Sequence, residues 1–166
     1  MQLSKGVEWA VHAAAILAAV PEGRGLSADA LARYHGVPSA YMAKQMQALR
    51  RAGIIKSLRG ASGGYALAKS PDEISLLDLT LAVESNGPIF RCTNIRCNGP
   101  CGLKSEEALD ACPIAAAFAG AEATYRAALD AVPLSQIIAE VVMTQTPDHL
   151  LKVAAWIDNE SGTPRG

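Results

Sequence analysis

The four cysteines of the chain, Cys92, Cys97, Cys101 and Cys112, all lie in one stretch, RCTNIRCNGPCGLKSEEALDACPI, residues 91–114. Thiolates gathered in this way hold zinc or an iron–sulfur cluster, and paired thiols exchange with disulfides. The spacing C-x4-C-x3-C-x10-C matches neither common ferredoxin pattern. It therefore leaves these chemistries open, including a zinc site of four cysteines and a Cys97–Cys101 thiol sensor. The outer pair is the better placed. Cys112 precedes Pro113 at the predicted start of a long helix, where the peptide dipole favours a thiolate. Cys92 follows Phe90, an apolar residue able to shield a site there. Cys97 and Cys101 stand among Asn, Gly and Pro, a composition that predicts a mobile segment.

Glu8 and His12 form a second grouping. Four residues apart, they point the same way from a helix. On the residues alone they read as an ordinary surface pair. There is no phosphate-binding loop, no Ser–His–Asp set and no group of convergent carboxylates, so the sequence does not read as an enzyme.

The elements that position these residues are legible from caps and periodicity. A first helix is predicted from about Lys5 to Ala19 with Ser4 as its cap, and a second from Ser27 to His35–Gly36. A third follows Pro38, with Met42, Met46 and Leu49 forming one apolar stripe and Ala40, Lys44, Gln47 and Arg51 on the other side. Two short β-prone runs, Ile54–Leu58 and Tyr65–Ala68, flank RGASGG and read as a hairpin. Ser75 and Asp78 make an S-x-x-D cap for a helix to about Glu84. Beyond the cysteines come the helix after Pro113, another near Leu134, a last short one after Thr146–Pro147, and a disordered end in NESGTPRG.

Two short helices, a tight turn and a hairpin make a winged helix–turn–helix. The charge pattern agrees with that reading. Net charge is only −1, yet Ala30 to Pro71 contains no Asp or Glu and carries Arg33, Lys44, Arg50, Arg51, Lys56, Arg59 and Lys69. A basic segment on an acidic body suits a double-stranded DNA operator. Ser39, Tyr41, Lys44 and Gln47 are expected to reach base edges or phosphates, and Arg59 marks the tip of the wing. Arg50, Arg51 and Lys56 would add salt-sensitive phosphate contacts.

The 166 residues suit one domain with an oligomerisation arm, and half of them are hydrophobic with only 5% aromatic, which favours packed helices. No secretion signal follows Met1, and no apolar run reaches the ~20 residues of a membrane span. The expectation is a cytoplasmic protein with no membrane contact. In that reducing compartment clustered cysteines are more often ligands or redox sensors than structural disulfides.

The segments GVEWAVHAA, SAYMAKQMQALRRAGIIKSLRGASGGYALAK and ACPI before a long helix resemble the Rrf-two family of winged-helix transcription regulators, which includes IscR, NsrR and RsrR types. LRGASGGYAL is the most specific of these marks. The ends LSKGVEWAVH, RCTNIR and ACPIA are closest to RsrR-type redox sensors. The resemblance implies a mainly α fold with a small β-hairpin wing, and a homodimer in which the helix starting at Cys112 crosses its partner. It divides the chain into a DNA-binding domain at 1–84, a cluster-binding loop at 85–112, dimerisation helices at 113–145 and a C-terminal tail at 146–166. It also implies an iron–sulfur cluster, [2Fe-2S], whose state controls operator affinity. IscR- and NsrR-type members use three loop cysteines at wider, more even gaps, and this chain departs from that. Carried over from RsrR-type members, the ligands are Glu8, His12, Cys92 and Cys112, the first two from the other subunit, with Cys97 and Cys101 as alternative ligands. Trp9, beside Glu8, and His35, at the end of the second helix, become switch candidates. The alternative reading is a winged-helix repressor stabilised by zinc or sensing through thiols.

Overall fold

The computed structural model describes residues 2–60, 63–84, 87–104, 108 and 112–161. The helices are α1 (Lys5–Ala18), α2 (Ala28–His35), α3 (Ser39–Arg51), α4 (Leu76–Val83), α5 (Pro113–Asp130), α6 (Leu134–Thr144) and α7 (Pro147–Glu160). The strands are β1 (Ile55–Leu58) and β2 (Gly64–Leu67). The chain forms two compact units, one of residues 86–128 and the other of residues 2–85 with 129–166.

In the larger unit the core is built by stripes of helical period. α1 buries Val7, Ala10, Ala13, Ala14 and Leu17, and small alanines there let α3 and α4 approach closely. α3 buries Met42, Met46 and Leu49 completely, the stripe expected from its spacing. Ser27 caps α2 by accepting the Ala30 N–H at 3.0 Å, and Gly36 closes that helix in the left-handed region at φ 64°. At α1 the expected cap differs. Ser4 occupies the position, but its side chain makes no cap bond, and its backbone N–H donates to Glu84 Oε1 at 3.0 Å. The carboxylate at the end of α4 thus satisfies the cap residue's own N–H, the donor a capping-box glutamate would take.

β1 and β2 pair antiparallel, Ile55 opposite Leu67 and Leu58 opposite Gly64. The hairpin is fastened to the strand-like residue before α2, with Leu26 and Tyr65 exchanging backbone hydrogen bonds of 3.0 and 2.8 Å. Gly64 makes this possible. Its φ is 143°, and a Cβ there would lie 2.6 Å from the Leu26 backbone, so no other residue fits. Ser75 and Asp78 form the expected capping box for α4. α6 joins the same core through a fully buried Leu134, whose N–H donates to Ile74 O at 2.8 Å.

The segment read as a tail is largely helix. Thr146 caps α7, accepting from the His149 N–H at 3.3 Å. Asn159 and Glu160 complete the helix rather than opening a disordered end, and Ser161 is buried. α7 is held to the helix–turn–helix by Arg24, which pairs with Asp158 at 3.0 Å and donates to Ser161 O, and by Arg33 with Glu160 at 2.6 Å. The rings of Tyr34 and Trp156 lie 4.6 Å apart. These partners are more than a hundred residues apart, which is why local pattern did not reveal them. The last five residues of NESGTPRG lie outside the described residues. Among the described residues no helix is long and apolar enough to cross a membrane.

Candidate nucleic-acid interface and thiol site

α3 separates two faces cleanly. Ser39, Tyr41, Lys44, Gln47, Arg50 and Arg51 are all exposed on it, as are Lys56 on β1 and Arg59 at the turn beyond β1. None of the cations Lys44, Arg50, Arg51, Lys56 or Arg59 is in an ion pair among the described residues. Arg33, from the same acid-free stretch, is instead neutralised by Glu160. A rigid helix with one face locked in the core and the other carrying unneutralised cations and amides can enter a groove and hold phosphates.

The base of α3 rests on α1. Trp9 meets Tyr41 edge-on, with ring centroids 5.8 Å apart. Beside them a cleft of about 430 Å³ is lined by Ser4, Lys5, Gly6, Lys44, Gln45 and Val83 as well as the two rings. Gln45 was missed by the sequence reading. It is 5% exposed, and a Cβ on Gly6 would meet its Oε1 at 3.0 Å. A polar residue in an apolar stripe has no sequence signature beyond breaking the pattern.

Glu8 and His12 are both exposed on α1, one turn apart. The His12 ring lies 5.6 Å from His35, which in turn meets Tyr34 at 4.8 Å. Burial and then the neighbouring His12 push the His35 imidazole below its usual pKa, and its Nε2 is buried with no hydrogen-bond partner among the described residues. Both effects disfavour the charged imidazolium. Both switch candidates, Trp9 and His35, touch a helix other than their own.

In the smaller unit the residues before Cys92 run antiparallel along α5. Gly87 O accepts from Arg126, the Ile89 N–H donates to Glu122 Oε2 at 2.9 Å, and Phe90 stacks on Phe118 at 4.3 Å and 8°. Each step moves toward the helix N-terminus, and the next delivers Cys92 to Cys112. There Cys92 lies near enough to Cys112 to act on its proton. The Ala115 N–H above all, then the Ile114 N–H, the Cys92 thiol and the Arg96 charge hold the Cys112 thiol below its usual pKa. Those amides are the unsatisfied donors of the first turn of α5. Cys92 also accepts from the Asn94 N–H at 3.3 Å. Phe90 thus serves to steer Cys92 as well as to flank it. The Ile89 N–H, with help from Arg126, likewise lowers the Glu122 carboxyl.

Cys97 ends a short 3-10 turn, Ile95–Cys97, its N–H donating to Asn94 O at 2.9 Å. The Leu103 N–H donates to Arg96 O at 2.9 Å, closing a turn across this segment. Among the described residues no three His, Cys, Asp or Glu side chains converge as metal ligands. The zinc site of four cysteines is therefore not assembled. Of the candidate ligands, the structure brings together Cys92 and Cys112. Arg96, which the sequence reading passed over, is the cation beside that pair.

Comparison with known proteins settles the family. Residues 3–140 match the Rrf2 family, described as an iron-dependent transcriptional regulator. The chain belongs to the Rrf2 family. It is a DNA-binding transcription regulator of that family and not an enzyme. YffB of Lactococcus lactis, named as an HTH-type transcriptional regulator, is 35% identical over 95% of this chain and 98% of its own length. An rrf2-like HTH-type regulator of Rhodobacter capsulatus is 31% identical over 70% of this chain and 76% of its own. Among solved structures, T. potens IscR superposes with a TM-score of 0.66 at 22% identity, covering 91% of this chain and 96% of that one. CymR, titled the global cysteine regulator of B. subtilis, gives 0.64 at 20% identity, covering 84% and 98%. Both share the Rrf2 winged-helix fold.

Proposed function

We propose that this Rrf2 protein is a homodimeric operator-binding regulator whose DNA affinity is controlled by an iron–sulfur cluster, [2Fe-2S]. The observation that carries the reading is the apposition of Cys92 and Cys112 at the head of α5, where amide N–H groups and Arg96 favour a thiolate on Cys112. Iron–sulfur clusters require thiolate ligands, so this half of the donor set fits. Glu8 and His12, exposed and one turn apart on α1, supply a carboxylate and an imidazole that would complete it from a second subunit. When bound, such a cluster supplies a one-electron change in charge at the residues that hold it.

The chain's own residues then relate those ligands to DNA. Glu8 and His12 share α1 with Trp9, whose ring bears on Tyr41 of α3. His12 bears on His35 at the end of α2. A displacement of α1 therefore presses on both helices of the DNA-reading motif, and a change in their angle alters how two half-sites are spanned. Dimerisation is supported by α5, which buries none of its residues and leaves Ile114 62% and Phe118 51% exposed. An apolar helix face left open in one chain is the ordinary mark of a partner.

The test is anaerobic purification with iron and acid-labile sulfide measured per chain. Wild type is expected to carry both. Cys112→Ser and His12→Ala are expected to lose or spectrally alter the cluster, while Cys97→Ala keeps it. An unchanged visible spectrum in His12→Ala would remove the histidine from the ligand set.

A further inference from the structure

The cleft of about 430 Å³ between α1, α3 and the end of α4 has the size of a small-molecule pocket, and it gathers groups that the fold leaves unpaired. We propose that it binds a small aromatic carboxylate, and that the bound acid weakens operator binding. The site uses none of the candidate cluster ligands and stands without the cluster reading.

Three observations carry it. The first is a buried amide. Gln45 is 5% exposed and lines the cleft, and among the described residues its side chain has no hydrogen-bond partner. A buried amide is ordinarily paired, because it brings donors and an acceptor out of water. Gly6 makes room for it, since a Cβ there would lie 3.0 Å from both Gln45 Oε1 and Val83 Cγ1. The second is charge. Lys5 and Lys44 both line the cleft, and neither is in an ion pair among the described residues. The first turn of α1 adds the positive end of its dipole, and Glu84, the acid beside Ser4, is engaged by the Ser4 N–H at 3.0 Å. The third is an aromatic wall. Trp9 and Tyr41 meet edge-on, 5.8 Å apart at 70°, and Tyr41 remains 57% exposed, which leaves ring surface for a third ring to stack on.

These groups select the class of ligand. A flat ring packs on the indole and phenol, a carboxylate on that ring meets the two ammonium groups, and a hydroxyl across the ring pairs with the Gln45 amide. An aliphatic acid forgoes the stacking, and so does inorganic phosphate. The effect on DNA follows from place. Tyr41 and Lys44 line the cleft and also stand on the exposed face of α3. A bound anion therefore takes Lys44 from the DNA phosphates and sets negative charge beside them.

The experiment titrates para-hydroxybenzoate into the full chain and follows the heat of binding. A Kd of about 1 mM or tighter is expected, weakened about tenfold or more in Gln45→Leu, which keeps the volume and removes the amide. In isotope-labelled wild type the acid is expected to shift the indole N–H signal of Trp9 and leave that of Trp156 in place, a readout that needs no variant to fold. At about ten times its Kd the acid is expected to lower operator affinity about tenfold. The proposal is overturned if the acid does not bind, if Gln45→Leu binds it as well as wild type does, or if the Trp9 signal stays still. Inorganic phosphate or cyclohexanecarboxylate binding as tightly would also overturn it, as would an operator affinity that the acid does not move. Iron and sulfide per chain report the cluster reading separately.

Discussion

α3 and α5 make opposite use of similar material. Both are apolar on one side, but α3 sinks Met42, Met46 and Leu49 to zero exposure, whereas α5, the longer of the two, buries nothing. The first helix finds its partners within its own chain, and its outer face is left for DNA. The second keeps its apolar residues outward and uses its N-terminus and one flank to hold a cysteine-bearing segment. Apolar burial is therefore concentrated in the larger unit, and the sensing proposed above falls to a unit whose own packing is thin. Low local stability is what a switching region needs.

The contrast can be broken at either helix. Met46→Ala in α3 should cost about 2–5 kcal/mol, the usual loss for a large core side chain, read as a lowered denaturant midpoint with loss of operator binding. Phe118→Ala in α5 should cost far less in fold stability, about 0.5–1.5 kcal/mol for the stacked Phe90 pair, while weakening self-association in sedimentation. Equal costs at the two sites would erase the distinction. Lys44→Ala or Arg51→Ala should leave folding intact and lower the slope of log affinity against log salt by about one.

The smallest effect is a pH dependence. The Glu122 carboxyl is lowered from 4.5, first by the Ile89 N–H, so the folded form binds its proton less readily than the unfolded chain. Its contribution is full above 4.5 and is lost as pH falls through the lowered value. Hydrogen exchange at the Ile89 amide should accelerate over that range in wild type, and should already be fast and flat in Glu122→Gln.

Much of the DNA-reading unit was legible because its signals are local. Met42, Met46 and Leu49 repeat at the helical period, Ser75 and Asp78 stand three apart, and Gly36 and Gly53 lie where a chain must turn left-handed, at φ 64° and 72°. The missed features depend on distant residues. Arg24 finds Asp158, Arg33 finds Glu160, and Ile89 finds Glu122, pairings that no spacing announces. The turn at Cys97 is hard to read for a related reason. Asn, Gly and Pro suit a mobile segment by composition, and the same residues permit a tight loop where backbone bonds such as Leu103 to Arg96 close it. At the thiol site, residue type and the helix start pointed to Cys112, and the leg that brings Cys92 to it became visible only in three dimensions.

The central claim is that what the thiol site holds decides how firmly α3 holds DNA. Its most direct measurement is operator affinity of a single anaerobic preparation, as isolated and again after iron is removed, at one fixed salt concentration. The account predicts a change of about tenfold or more, ~1.4 kcal/mol, lost in Cys112→Ser. Identical affinities before and after removal, or a preparation that never contained iron and sulfide, would contradict it.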